Sequence, residues 1–144
     1  MSLDGAYDPD NIFARLIRGE IPAARIFETD RVLAFMDAFP QSRGHCLVVH
    51  TASRARNLLE AEPEVLDDLI LAVQRISRAV KSALRPEGIV VTQFNGASAG
   101  QTVYHLHFHV IPRFEGETVG RHAAGAMADL NELEKTARLI ASAL

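Results

Sequence analysis

Three of the six histidines in this 144-residue chain stand at every second position of one apolar run, GQTVYHLHFHVIPRF, over residues 100–114. The run has the composition of a long strand, and alternate side chains of a strand share a face. His105, His107 and His109 are therefore expected to line one face of it. Each imidazole needs a hydrogen-bond partner if it is buried, so a purely structural row of three is costly.

The residues alone leave three interpretations of this row open. It could be a polar face whose histidines are satisfied within the fold. It could bind a metal, but the outer histidines lie ~13 Å apart at Cα and cannot share one ion, so His45 or His50 would have to contribute. In the third interpretation the row faces an extended anion such as a phosphate chain, where one imidazole attacks and its neighbours donate hydrogen bonds or move protons. The spacing along a strand suits the third interpretation best.

The helices and strands that must position the row are predicted from two different spacings of apolar residues. A short helix begins at Asp10 or Asn11, which can cap it, and ends at Gly19. Apolar residues at three- and four-residue steps predict a long amphipathic helix over Pro63–Leu84, and a last helix is expected over 130–144. Period-two runs predict strands over residues 24–29, 31–38, 45–50, 88–94 and 102–114. This order indicates an α+β domain built on an antiparallel sheet.

Composition excludes several classes of protein. The chain is 48% hydrophobic and 23% charged with a formal charge of −3, which is typical of one soluble globular domain and gives no electrostatic reason to expect nucleic acid or membrane partners. Cys46 is the single cysteine, so an intrachain disulfide and a cysteine-based zinc site are excluded. Neighbours in a strand face opposite sides, so we expect Cys46 in the core rather than paired with His45. The sequence shows no signal peptide, and the cytoplasm is the expected location.

The histidine row resembles the signature of the histidine triad (HIT) superfamily, His-φ-His-φ-His-φ-φ, in the stretch from His105 to Ile111. The preceding GQTV, the Asn95-Gly96 pair and the upstream block IFARLIRGEIPAARIFETDRVLAFMDAFPQSRGHCLVV also match, so the similarity runs from about residue 11 to 114. The resemblance is to the bacterial HIT/Hint-like hydrolases. It implies a HIT fold, a five-stranded antiparallel sheet with one long helix and a shorter C-terminal helix. We expect a single domain over 11–144 after a flexible tail over 1–10, and a homodimer that pairs the long helices and the sheet edges near 105–113.

The resemblance also implies an activity. HIT proteins are nucleotide hydrolases or transferases, so the chain is expected to cleave purine nucleoside phosphoramidates or dinucleoside polyphosphates at the α-phosphate. A covalent nucleotidyl-His107 would form and release a nucleoside monophosphate. No cofactor and no metal are expected. Two alternatives stay open: a nucleotide-binding regulatory protein with little turnover, and a histidine-based metal-binding protein.

Residue roles follow from the same resemblance. His107 would be the nucleophile, oriented by the backbone carbonyl of His105, and His45 would lie beside the same phosphate. His109 and the Gln101 and Thr102 side chains would contact the phosphate and the leaving group. Asp37 would bind the ribose hydroxyls, although an Asp at a strand end is also a common turn former. The other expected nucleotide contacts are Asn95, Gly100 and Val103, with an apolar slot for the base formed by Ile12, Phe13, Leu16 and Ile21, for which core packing is the alternative.

The chain departs from its bacterial relatives where they bind zinc. Asn11 and Ala14 stand in place of their Cys-x-x-Cys, and HTAS over residues 50–53 replaces their Pro-Lys-x-His, so a structural zinc is not expected. His50, Arg54 and Arg56 are expected to be surface or loop residues. Arg121 and His122 could reach the leaving group, although nothing in the sequence requires it.

Overall fold

A computed structural model describes residues 2–120, 122 and 125–144. Its fold is an antiparallel sheet of five strands with helices against both faces. The α+β class and the five-stranded sheet of the HIT fold are confirmed. The strands are β1 (Arg25–Glu28), β2 (Val32–Met36), β3 (Cys46–His50), β4 (Gly88–Thr92) and β5 (His107–Arg113). Their order across the sheet is β1-β2-β3-β5-β4. The helices are α1 (Ile12–Ile17), α2 (Pro63–Leu84) and α3 (Leu130–Ala141).

The two faces of the sheet are covered differently. On one face, which we call the core face, apolar side chains of β2, β3 and β5 pack against α2 and α3; they include Val32, Ala34, Met36, Cys46, Val48 and Val110. On the other, the histidine face, a smaller apolar cluster packs under α1 and consists of Phe13, Leu16, Leu33, Phe35, Leu47 and Val49. Leu47 pairs with His109 and Val49 with His107, so both histidines lie on this second face. Cys46 lies in the core, as its strand parity requires.

Two helices begin as their sequences indicate. Pro63 stands in the first turn of α2, where its missing N–H costs nothing, and the helix ends at Leu84 before Arg85 adopts a left-handed conformation. The Asn11 side chain caps α1, because its Oδ1 accepts hydrogen bonds from the Phe13 and Ala14 amides. The two positions that stand where relatives have Cys-x-x-Cys, Asn11 and Ala14, thus share a capping hydrogen bond.

The expected strand over residues 102–114 is too long, because β5 begins at His107. The Leu106 amide donates to the Ala55 carbonyl, outside the ladder with β3, and residues 103–105 bend. His105 therefore precedes the strand. The expected dimer edge near residues 105–113 is also wrong, because β5 lies between β3 and β4 and the free edges of the sheet belong to β1 and β4.

The segment before α1 lies against the domain. The Leu3 carbonyl accepts hydrogen bonds from Arg56 Nη1 at 3.1 Å and Asn57 Nδ2 at 3.0 Å, and Arg56 Nη2 also reaches the Ser2 carbonyl. Arg56 is thereby buried, with 1% of its surface exposed, so its placement in a solvated loop is wrong. The flexibility of residues 1–10 and the domain boundary at residue 11 stay predictions.

His50 is also not a surface residue. It ends β3, is buried, and its Nε2 lies 3.0 Å from Asp68 Oδ2 on α2. Among the helices that the structure describes, none is long and apolar enough to cross a membrane.

Candidate functional site

A pocket of about 560 Å³ opens on the histidine face, between α1, the end of β2 and the start of β5. Nine of the residues that the sequence assigned to the site line it. They are Ile12, Phe13, Leu16, Ile21, Asp37, Thr102, Val103, His107 and His109. The four residues of the expected base slot give the pocket an apolar wall, and the polar residues that line the pocket include the histidines, Asp37 and Thr102.

His107 presents an unprotonated nitrogen to this pocket. Its Nδ1 lies 2.7 Å from the carbonyl oxygen of His105, and a carbonyl only accepts, so Nδ1 must carry the proton. Nε2 therefore holds a free lone pair. The edge of Phe13 packs on the ring at 4.8 Å between centroids, which fixes its plane. Burial lowers the pKa of His107 to about 4, so the ring is neutral at physiological pH.

His45 and His109 form a second series of hydrogen bonds. It leaves a protonated nitrogen at its end, whereas His107 has a free lone pair. The backbone amide of Gln41 donates to His45 Nδ1 at 3.0 Å, which leaves the proton of His45 on Nε2. His45 Nε2–H in turn donates to His109 Nδ1 at 2.9 Å. His109 must therefore carry its proton on Nε2, a buried atom that has no hydrogen-bond partner among the described residues. The pair ends in an unused donor, the group that an anionic ligand would satisfy.

Burial also explains the charge state of this pair. It lowers the pKa of His45 to about 4 and that of His109 well below its ordinary value, with the neighbouring histidines adding to the effect. Both rings are neutral at pH 7. A phosphate would therefore meet an oriented N–H dipole rather than a preformed positive charge.

Asp37 lies where β2 ends beside His45. Its Oδ1 accepts from the Phe39 amide at 2.8 Å, the turn-forming bond that the sequence left as the alternative, and its Oδ2 is 3.3 Å from His45 Nε2. Because the carboxyl also lines the pocket, the turn does not exclude a ligand contact. Burial raises the pKa of Asp37 to about 6, so it is an anion at pH 7 and an acceptor for hydroxyl groups.

Five of the fourteen expected site residues do not line the pocket. His45 and His105 are buried and hydrogen-bonded to His109 and His107, and the other three belong to a loop. Both ends of the Gln101 amide bind backbone, Oε1 the Gly96 amide and Nε2 the Arg56 carbonyl. The Asn95 side chain accepts from the Leu58 amide and from Gln93 Nε2. Gly100, with a φ of 104° that favours glycine, ends the short 3-10 turn Ala97–Ala99. These residues build the loop that presents Thr102 and Val103 to the pocket.

The segment after β5 adds residues for which the sequence gave little or no signal. Gln41 exchanges hydrogen bonds with the Gly120 backbone, and the Ala128 amide donates to the Ala38 carbonyl. These contacts hold His122 and Met127 against the pocket. The His122 ring packs on His109 at 4.9 Å between centroids, and its contact with a leaving group stays a prediction. Arg121 lies outside the described residues.

Tyr7 is another residue that the sequence reasoning did not assign to the site. Its hydroxyl lies 2.7 Å from His105 Nδ1, behind the nucleophile. No periodicity or motif marks this position. Gln41 likewise stood in a loop without a distinguishing pattern, and only the folded contact shows that its amide sets the His45 tautomer.

One group of described residues has the composition of a metal site, because Asp37, His45 and His109 bring ligand atoms within 4.8 Å of one another. The hydrogen bonds disfavour that use. The Gln41 amide occupies the His45 Nδ1 lone pair, so the nitrogen that faces the other two residues carries a proton and cannot ligate without losing it. The same atoms are arranged as donors and acceptors to one another.

Comparison with known proteins identifies relatives along most of the chain. The HIT domain family matches residues 18–116. A crystal structure of a Hit-like protein from Bartonella henselae superposes with a TM-score of 0.91, is 50% identical, and covers 97% of this chain and 100% of that one. A histidine triad nucleotide-binding protein from Sulfolobus tokodaii gives a TM-score of 0.81 at 28% identity, over 91% of this chain and 89% of that one. The adenylylsulfatase HINT3 of Arabidopsis thaliana is 32% identical over 90% of this chain and 68% of its own length.

Proposed function

This chain belongs to the HIT family, and we propose that it is a nucleotide hydrolase that cleaves the α-phosphate of a purine nucleotide conjugate through a covalent nucleotidyl-His107. One observation carries the proposal. The pocket holds, side by side, an imidazole with a free lone pair at His107 Nε2 and an imidazole with an unpartnered N–H at His109 Nε2. The two rings lie 5.0 Å apart between centroids.

The first displacement uses both groups. The Nε2 lone pair of His107 attacks the α-phosphorus, and the bond from phosphorus to the leaving nitrogen or oxygen breaks with its electron pair going to the leaving group. The leaving group takes a proton from water. Negative charge grows on the phosphoryl oxygens, and His109 Nε2–H is the donor that stabilises it. The His105 carbonyl accepts from Nδ1–H of the cationic nucleotidyl-imidazole.

The second displacement restores the enzyme. A water oxygen attacks the phosphorus of nucleotidyl-His107 and releases one proton to solvent. The P–Nε2 bond breaks, and its electron pair returns to Nε2. The sum of the two steps is conjugate plus water giving a nucleoside monophosphate and the protonated leaving group. Dividing the hydrolysis in this way replaces one difficult step with two easier ones.

The rest of the pocket suits a nucleoside. The apolar wall of Ile12, Phe13, Leu16 and Ile21 can take the flat face of a base, and the Asp37 carboxylate can accept from ribose hydroxyls. Phosphoramidates and dinucleoside polyphosphates share this nucleoside half and differ in the leaving group. The name of the Arabidopsis relative adds a sulfate ester of the adenylyl group as a third conjugate to test.

The test is the release of nucleoside monophosphate from adenosine 5′-phosphoramidate, diadenosine tetraphosphate and adenosine 5′-phosphosulfate, side by side, without added metal. We expect turnover of at least one, abolished in His107→Ala and retained in Cys46→Ala, which alters the core face of the neighbouring strand. Activity that survives in His107→Ala would contradict the proposal. Binding of AMP without turnover of any conjugate would favour the regulatory alternative.

We further propose that the protein acts as a homodimer in the cytoplasm. The free edge strand β4 exposes Val90 and Val91, and α2 exposes Ile70 and Leu71, apolar side chains that a second copy would cover. A single buried free cysteine suits a reducing compartment. Light scattering after size-exclusion chromatography tests the dimer, and a mass of one chain at micromolar concentration would contradict it.

A further inference from the structure

The His105 side chain has no part in the two displacements, which use only its backbone carbonyl. It is nevertheless 2% exposed, and both of its ring nitrogens are engaged. Nε2 lies 3.2 Å from the His50 carbonyl oxygen, and Nδ1 lies 2.7 Å from the Tyr7 hydroxyl. Because both nitrogens of the buried His105 ring are held by hydrogen bonds, the backbone of His105 is also held in place. The carbonyl of that backbone accepts the hydrogen bond from Nδ1–H of His107.

The hydrogen-bond partners determine the position of every proton in the series that joins Tyr7, His105 and the His50 carbonyl. The His50 carbonyl only accepts, so His105 Nε2 is the donor and Nδ1 is the acceptor. The Tyr7 hydroxyl must therefore donate to Nδ1. Burial lowers the pKa of His105 to about 4, in keeping with a neutral ring that has one donor and one acceptor.

The two hydrogen-bond partners of His105, His50 and Tyr7, are each held by further contacts that do not involve His105. On one side, His50 Nδ1 accepts from the Ala52 and Ser53 amides while its Nε2 binds Asp68, which holds the end of β3 against α2. On the other side, the Arg54 guanidinium lies over the Tyr7 ring at 5.2 Å from its centroid. The position of His50, for which the sequence offered no role, is thereby explained.

We propose that Tyr7 is a positioning residue: from the segment before α1 its hydroxyl holds the His105 ring, and through the His105 carbonyl it fixes the tautomer and the aim of His107. The inference rests on the proposed function of His107. Loss of the Tyr7 hydroxyl leaves His105 Nδ1 a buried acceptor without a partner, a cost that the site can reduce by moving the ring and the carbonyl attached to the same residue. His107 Nδ1–H would then lose its optimal acceptor.

Tyr7→Phe isolates this effect because other contacts hold the segment. Arg56 and Asn57 bind the Leu3 and Ser2 carbonyls, and the Phe ring can still pack under Arg54. Ser2→Ala is the matched control, since its hydroxyl donates to the Asp4 carbonyl within the segment itself. The control is expected to keep wild-type kinetics.

We expect kcat of Tyr7→Phe to fall by about tenfold on the most active adenosine conjugate, the size of one buried hydrogen bond acting in the transition state. KM and the Kd for AMP should stay within about twofold because Tyr7 does not line the pocket. In ¹⁵N NMR of histidine-labelled protein, His107 should show a protonated Nδ1 and a bare Nε2 in the wild type and a mixture of tautomers in the variant.

Three results would overturn the inference. One is a wild-type kcat in Tyr7→Phe, and another is an unchanged His107 nitrogen spectrum. The third is a loss of kcat matched by a loss of thermal stability, with the His107 tautomer retained, which would assign Tyr7 to packing alone. If the wild type turns over no conjugate, the proposed function fails by itself. The nitrogen spectra, recorded without substrate, would still decide whether Tyr7 sets the tautomer.

Discussion

The His109 and His107 ends of the histidine row are each oriented by hydrogen bonds from neighbouring groups. They present opposite groups to the pocket, a donor N–H at one end and an unprotonated nitrogen at the other. At one end the Gln41 amide sets His45, His45 sets His109, and a donor N–H faces the pocket. At the other end the His105 carbonyl sets His107, and a bare nitrogen faces the pocket. Both ends use neutral rings whose pKa values burial has lowered. Two backbone groups, the Gln41 amide and the His105 carbonyl, therefore decide which nitrogen of His109 and of His107 carries the proton.

Removing the bare nitrogen should have the largest effect. His107→Ala takes away the nucleophile, and we expect hydrolysis to fall on the order of 10⁴-fold or more, as for loss of other covalent nucleophiles. The wild-type circular dichroism spectrum should be retained. Steady-state release of nucleoside monophosphate measures the loss, and a decrease of less than tenfold would separate His107 from the chemistry.

Removing the hydrogen bond that orients His109 should reduce activity less than removing the nucleophile. In His45→Ala the His109 Nδ1 loses its donor, so His109 can hold its proton on either nitrogen and no longer reliably presents Nε2–H. We expect kcat to fall by about 10²-fold, the size of one lost donor to a developing charge. Cys46→Ala, at the next residue, whose side chain lies in the core, is the control. Equal kcat values in the two variants would show that the donor end does not contribute.

A smaller effect is expected at Asp37, which belongs to neither end. Asp37→Asn keeps the shape and an oxygen that can accept from the Phe39 amide but removes the negative charge from the pocket. We expect KM to rise by about tenfold with little change in kcat, because a ribose contact is made equally in the ground and transition states. A fall in kcat at constant KM would place Asp37 in the chemical step instead.

The smallest effect should appear on changing pH. The pKa of Asp37 is about 6 and that of His107 about 4, so acidification first protonates the carboxylate and only later the nucleophile. In the wild type, KM should rise as pH falls through about 6, while kcat stays level to about pH 5. In Asp37→Asn the rise in KM should vanish. A kcat that falls between pH 7 and 6 would show that the nucleophile itself titrates there.

Local patterns predicted the order of the helices and strands, the bounds of α2 and part of the site. The three- and four-residue spacing and Pro63 predicted α2 with the bounds that it has, Pro63–Leu84. Strand alternation correctly placed His107 and His109 on one face and Cys46 on the other. These properties depend on neighbours within a few residues, which a sequence displays directly.

Contacts between distant segments were not predictable in the same way. The start of β5 is set by the Leu106 amide binding Ala55, and the His105 ring is hydrogen-bonded to Tyr7, far away in the chain. Gln101 and Asn95 were assigned to the nucleotide by resemblance, but the resemblance did not indicate that their side chains also bind groups of the loop. A motif identifies which residues belong together, whereas the direction of each side chain depends on partners that the motif does not contain.

The central claim, attack by His107 rather than by water, is tested most directly by the stereochemical course at the α-phosphorus. The measurement uses an adenosine conjugate made chiral at that atom with sulfur and hydrolysed in ¹⁸O-labelled water. Two successive in-line displacements give retention of configuration, and this is the result that we expect. Inversion would mean a single displacement by water and would contradict a nucleotidyl-His107 intermediate.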